Sequence, residues 1–134
     1  MADEIRVAIR TDADVVTARQ EARTLGAGLG FSSTDLTLLA TAISEVARNI
    51  TTYAGEGEVQ LRALEQDGRR GIEVLATDEG PGIDDVELAM QDGYTTGNGL
   101  GLGLPGTRRL VDDFDLQTTP GVGTTVRLVK WIRA

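Results

Sequence analysis

The stretch Gly97-Asn98-Gly99-Leu100-Gly101-Leu102-Gly103-Leu104-Pro105-Gly106 governs how the rest of the chain is read. A helix-compatible segment follows from Leu104 or Pro105, where proline is tolerated in a first turn. Eight of the chain's 17 glycines fall between Gly80 and Gly106, a concentration that raises the entropic cost of folding and calls for a backbone reason. Anion binding provides one: successive N–H groups without side chains between them converge on phosphate oxygens, and the next helix N-terminus adds a favourable dipole. A flexible surface loop is the competing reading. The stretch is neither a Walker A loop nor a Rossmann fingerprint, because no Lys-Ser or Lys-Thr follows it and it lies late in the chain. A nucleotide held here requires another fold.

Working back towards the N-terminus, Val59 to Leu64 and Ile72 to Thr77 read as strands joined by a turn at Gln66-Asp67-Gly68-Arg69, an antiparallel hairpin. Before them, Ser33 or Thr34 can cap a helix whose Leu36, Leu39, Ala40, Ile43, Ala47 and Ile50 recur at helical spacing. An earlier helix, capped by Asp14 and ending near Gly26, places Val15, Ala18, Ala22 and Leu25 on one stripe. Ile5, Val7 and Ile9 alternate with polar or small neighbours as a half-buried strand. Beyond the hairpin, a short helix is expected from about Asp84 to Met90 and a third long one from Leu104 or Pro105 to Asp113. Phe114 to Thr118 and Thr124 to Ile132 complete the sheet. The expected fold class is α/β, a two-layer α+β sandwich with a mixed, mostly antiparallel sheet covered on one face by helices, in a single domain spanning 1–134.

Three further constellations flank the loop. In Ser44-Glu45-Val46-Ala47-Arg48-Asn49, Glu45 and Asn49 are four apart and share a helix face roughly opposite the apolar stripe, so a carboxylate and an amide can project together into a cleft. A solvated polar face with a cap-like Asn is the alternative. Asp78-Glu79-Gly80-Pro81-Gly82 ends an apolar strand: its carboxylate can accept from an adenine amino group, and Gly80 and Gly82 allow close backbone approach, although a plain turn has the same composition. Gly121-Val122-Gly123-Thr124-Thr125 reads as a hairpin turn before the last strand, with Thr124 able to reach a base directly or through water.

Composition narrows the chemistry. The 134 residues carry a net charge of −8, which opposes binding to long polyanions and leaves a nucleotide acceptable where a divalent cation offsets its charge. There is no histidine and no cysteine, so acid–base work falls to carboxylates, and disulfides and thiolate metal sites are excluded. The longest apolar run, near Leu36 to Ile43, is too short and too interrupted for a bilayer span. With no secretory signal visible, a cytoplasmic location is expected.

Taken in order, Glu45-x-x-x-Asn49, Asp78-x-Gly80-x-Gly82, the Gly99 to Leu104 loop and Gly121-x-Gly123-Thr124 resemble the N box and glycine boxes of the GHKL ATPases, whose ATP-binding fold is of the Bergerat type. Ala42 to Ile50, Asp92-Gly93-Tyr94-Thr95-Thr96 and Leu104-Pro105-Gly106 through Phe114 are similar to the RsbT-type serine-protein kinases of bacterial stress signalling. The resemblance implies ATP and Mg²⁺ as ligands. It implies Glu45 as catalytic base and Asn49 as metal ligand, with Asp78, Gly80, Gly82, Gly99, Leu100, Gly101, Leu102, Gly103 and Thr124 around the nucleotide. It further implies STAS-domain antagonist or scaffold proteins as substrates and a PPM-type phosphatase as a second partner. An RsbW-like anti-sigma factor that sequesters a sigma subunit shares these motifs and is the alternative. An isolated histidine-kinase ATP domain is disfavoured, since the chain holds no histidine to modify. One departure stands out: 83–98 contains no Lys or Arg, where several GHKL proteins carry a basic lid residue. Arg48, Arg108 and Arg109 are the possible substitutes.

Overall fold

A computed structural model describes residues 4–82 and 103–132. The elements are β1 (Glu4–Ile9), α1 (Asp12–Leu29), α2 (Ser33–Asn49), a π-helical turn (Ile50–Ala54), β2 (Gly57–Gln66), β3 (Arg69–Asp78), α3 (Gly103–Leu110), β4 (Asp113–Thr119) and β5 (Gly123–Trp131). The five strands form one sheet in the order β1-β2-β3-β5-β4. Every adjacent pair is antiparallel, which corrects the expectation of a mixed sheet. β3 and β4 do run in the same direction, but β5 inserts between them.

The hairpin turns where expected, at Asp67 and Gly68, both with positive φ (53° and 78°), the geometry that matches strand twist. The helix boundaries moved. Thr11, not Asp14, occupies the N-cap of α1. Asp14 lies one turn in, and its Oδ2 accepts the backbone N–H groups of Arg10 (2.9 Å) and Thr11 (3.1 Å). The Arg10 bond, aided by the Thr11 N–H, holds the Asp14 carboxyl below its ordinary pKa. α1 continues past Gly26, which is buried within it, and ends at Gly30 with φ 99°. Ser32 rather than Ser33 or Thr34 caps α2, its hydroxyl accepting from the Asp35 N–H at 3.1 Å.

α3 is shorter than expected and stops at Leu110, because the chain is captured there by β5. The Asp112 N–H donates to Val129 O (2.9 Å), the Asp112 carboxylate accepts the Trp131 N–H (2.7 Å), and Lys130 Nζ donates to Leu110 O (3.0 Å). Lys130 is only 2 % exposed and stands 3.9 Å from Asp35 of α2, so one ammonium joins the end of α3 to the start of α2. The expected helix over Asp84–Met90 lies outside the described residues.

Register explains the core. On the helix-facing side, Val7, Val59, Ala76, Val126 and Leu116 form one row across all five strands, and Ile5, Leu61, Val74, Leu128 and Phe114 form the next. These rows pack against Val15, Ala18 and Ala22 of α1 and Leu36, Leu39, Ile43, Val46 and Ala47 of α2. The opposite face is polar: Glu73, itself buried, pairs with Arg62 at 2.8 Å and Arg127 at 2.7 Å.

Candidate functional site

One row further along the same face, the pattern changes. Ile9, Gly57, Asp78, Thr124 and Thr118 stand in line across the sheet, so two apolar rows give way to a row with no side chain on β2 and polar ones on β3, β5 and β4. Period-two alternation puts Asp78 on the same side as Val74 and Ala76. Its position at the end of β3 leaves it half-buried, at the mouth of the interior rather than within it. Asp78 Oδ1 accepts the Gly80 N–H at 2.9 Å, which fixes the carboxylate and leaves the second oxygen for a ligand.

The backbone crowds around this carboxylate. A Cβ on Gly123 would overlap Asp78 O, and one on Gly80 would sit 2.5 Å from Ala54 Cβ and 2.8 Å from Ala54 Cα. These two glycines let the segment after β3 lie directly on the π-helical turn on one side and on β5 on the other. Pro81 O accepts the Gly121 N–H at 2.7 Å and ties the same segment to the β4–β5 turn.

The π-helical turn links the row to α2. It begins at Ile50, immediately after Asn49, closes with the Gly55 N–H donating to Ile50 O at 2.9 Å, and ends at Gly55 with φ 86°. Such turns are rare and recur at functional sites. In the second half of α2, Ala42, Ile43, Ser44, Val46 and Ala47 are buried. The strip left accessible holds Thr41, Glu45, Arg48 and Asn49. Glu45 is not a solvated surface residue: its side chain is 12 % exposed and lies 3.4 Å from Arg48 Nη1. Asn49 makes no side-chain cap to the turn that follows, so its amide is not committed to the capping role that competed with a ligand role.

Asp78, Gly80, Gly82 and Thr124 are thus gathered at one end of the sheet, Asn49 is joined to them through the π-helical turn, and Glu45 lies one helical turn before Asn49. α3, beginning at Gly103, packs along α2. Gly99, Leu100, Gly101 and Leu102 lie outside the described residues. Among the described residues no cluster of three or more acidic side chains could hold a metal. Asn49 fits Mg²⁺ as a single oxygen donor, since that ion characteristically completes its shell with phosphates and water. Sequence reasoning missed two parts of the site. The π-helical turn had one local signal, Gly55; Thr118 had only its place in the Phe114, Leu116, Thr118 alternation.

The antiparallel sheet under α1 and α2, with an acidic residue closing β3 and a polar strip ending α2, matches a known family. A model described as histidine kinase-like ATPase domain covers residues 9–130, and the chain belongs to that family. It is 44 % identical over 133 residues to the serine/threonine-protein kinase RsbT of Bacillus subtilis, covering 99 % of this chain and 100 % of that one. It is 40 % identical over 98 residues to an anti-sigma F factor of Caldanaerobacter subterraneus, covering 69 % and 67 %. The RsbU and RsbW domains of a Mycobacterium tuberculosis protein share the fold, with a TM-score of 0.67 at 20 % identity over 100 % of this chain and 33 % of that one. The activity is therefore that of an ATP-using protein serine/threonine kinase. The anti-sigma alternative, supported by shorter and weaker matches, is not favoured.

Proposed function

We propose that this chain transfers the γ-phosphoryl group of Mg-ATP to a serine or threonine of a STAS-domain antagonist or scaffold protein in a partner-switching stress response, and that the freed kinase then activates a PPM-type phosphatase in the cytoplasm. One unit, 1–134, carries both nucleotide binding and chemistry. The observation that supports this most is the join between the Asp78–Thr124 row and the end of α2: Gly80 rests on Ala54, five residues beyond Asn49. A nucleotide whose base meets Asp78 and Thr124 then has the strip of Glu45 and Asn49 within the same cleft.

In this reading Asp78 accepts from the adenine amino group, Gly80 and Gly82 admit the ring, Thr124 makes a second base contact, and the backbone of 99–103 cradles the phosphates. Asn49 holds Mg²⁺, which when bound neutralises phosphate charge. Glu45 orients the acceptor hydroxyl and takes its proton as the oxygen attacks the γ-phosphorus in line, the bond to the β–γ bridging oxygen breaks and ADP leaves. Positioning and charge stabilisation supply most of the rate. Arg48, beside Glu45 and 52 % exposed, is placed to hold the carboxylate until a substrate arrives.

The product gains about −1.5 to −2 charges against a kinase of net charge −8, which favours release and a switch to the second partner. Incubation with labelled ATP and candidate STAS proteins, followed by mapping of the modified residue, tests the proposal. Phosphoserine or phosphothreonine on the partner is expected. Stable capture of a sigma factor with no transfer to any STAS protein would overturn it in favour of the anti-sigma role.

A further inference from the structure

Thr118 occupies the end of the polar row, and none of the roles above uses it. It stands opposite Thr124, which stands opposite Asp78. Its hydroxyl is 3.2 Å from Gly123 O and 2.9 Å from Thr124 Oγ1. A hydroxyl carries a single hydrogen, and a carbonyl oxygen can only accept. Both contacts are hydrogen bonds in one arrangement: Thr118 donates to Gly123 O, and Thr124 donates to Thr118. The hydrogen of Thr124 is then directed along the sheet, and what Thr124 turns towards a ligand is lone pairs. Beside it, the two side-chain oxygens of Asp78 face the same row, Oδ1 already accepting the Gly80 N–H, and a carboxylate offers acceptors only. The row therefore presents two oxygen acceptors and no side-chain donor between β3 and β5.

This polarity discriminates among purines. An amino group at C6 brings two N–H donors to a pair of acceptors. An oxo group at C6 brings another acceptor and leaves a single donor, at N1, so at least one of the two acceptors goes unpaired, and a site built for one polarity disfavours the other for that reason. We propose that Thr118 is a positioning residue for base specificity: by accepting the Thr124 hydrogen it fixes Thr124 as an acceptor, so that Asp78 and Thr124 together select 6-amino over 6-oxo purine nucleotides. The inference rests on the nucleotide roles of Asp78 and Thr124 given under the proposed function. Without Thr118's oxygen, the Thr124 hydroxyl is free to rotate and donate to O6, and the penalty against a 6-oxo purine falls.

The probes are ATP and ITP, which carry the same ribose and triphosphate and differ in the base at C6 and N1. Calorimetric titration of the full chain with each, for wild type, Thr118→Val and Thr118→Ser, reads the ratio of the two affinities. Wild type should prefer ATP. Thr118→Val should lower that preference about tenfold, the worth of one hydrogen bond, chiefly by binding ITP better. Thr118→Ser, which keeps the hydroxyl, should restore it. If the valine variant does not fold, Thr118→Ala makes the same test. A residue that merely shapes the β4–β5 end would weaken both nucleotides together, so a folded variant with an unmoved ATP-to-ITP ratio overturns the inference. Equal binding of both nucleotides by wild type also overturns it while leaving the kinase reading standing, whereas a wild type that binds no ATP sinks the nucleotide reading itself.

Discussion

Gly123→Ala perturbs the candidate site without removing any of its polar side chains. The new Cβ would overlap Asp78 O and stand 3.0 Å from Glu79 Cα and 3.1 Å from Asp78 C, at a backbone φ of 155°. Carbon atoms in ordinary contact sit about 3.5–4.0 Å apart, so the end of β3 must retreat from β5 by roughly half an ångström to an ångström. Overpacking of this kind costs about 1–3 kcal/mol, and a side chain held at such a φ adds on the order of 1 kcal/mol. The expected loss of stability is therefore about 2–4 kcal/mol.

The same movement pulls Asp78 from Thr124. Losing a hydrogen bond to a charged group, about 1.5–3 kcal/mol, weakens ATP binding roughly 10- to 100-fold. Gly121→Ala is the control. Gly121 also has a positive φ, 79°, but a Cβ there meets nothing within 4 Å, so the cost is confined to the backbone, about 1 kcal/mol, and ATP affinity should stay within twofold. Stability is read by urea titration of the emission of Trp131, the only tryptophan, and affinity by calorimetry. If the two alanine variants prove equal in stability and in ATP affinity, the contact between Gly123 and the Asp78 backbone does not set the geometry of the row.

Asp78→Asn should raise the ATP dissociation constant, because one carboxylate acceptor becomes an amide donor; unchanged calorimetric affinity removes Asp78 from base recognition. Glu45→Ala should keep ATP affinity and lose about 10²–10⁴-fold in single-turnover transfer, while Asn49→Ala should abolish Mg²⁺-dependent transfer with its far-ultraviolet dichroism intact. Full activity in either folded variant refutes that assignment. Lys130→Met should cost about 1–3 kcal/mol in urea titrations by stranding Leu110 O and the partly buried Asp35, and a neutral result would show that both find other partners. Because the carboxyl of Asp14 is held below the usual value near 4, its contribution to stability is complete above about pH 4 and is lost as pH falls through the depressed folded value. The gap in urea midpoint between wild type and Asp14→Asn should accordingly be open at pH 6 and close on acidification; a gap independent of pH would remove the carboxylate as its cause.

The sequence by itself determined the elements whose signal is local. Alternation placed β1 and both arms of the β2–β3 hairpin, Asp67-Gly68 placed the turn between them, and helical spacing picked the buried stripe of α2 from Leu36 to Ile50. The order of the four boxes pointed to the family. Tertiary structure decided whatever depends on residues far apart in the chain. Where α3 stops is set by Lys130 and Trp131 of β5, and Gly26 fails to end α1 because it is buried within the packed helix. Among the described residues no strand pair is parallel, because β5 inserts between β3 and β4. Most of all, alternation assigns a side chain to a face but not to a neighbour across the sheet. Asp78, Thr124 and Thr118 became one row only when pairing across three strands fixed their register, which the packing of the apolar rows on the helices and the geometry of the connecting turns select together, not the pattern within any one strand.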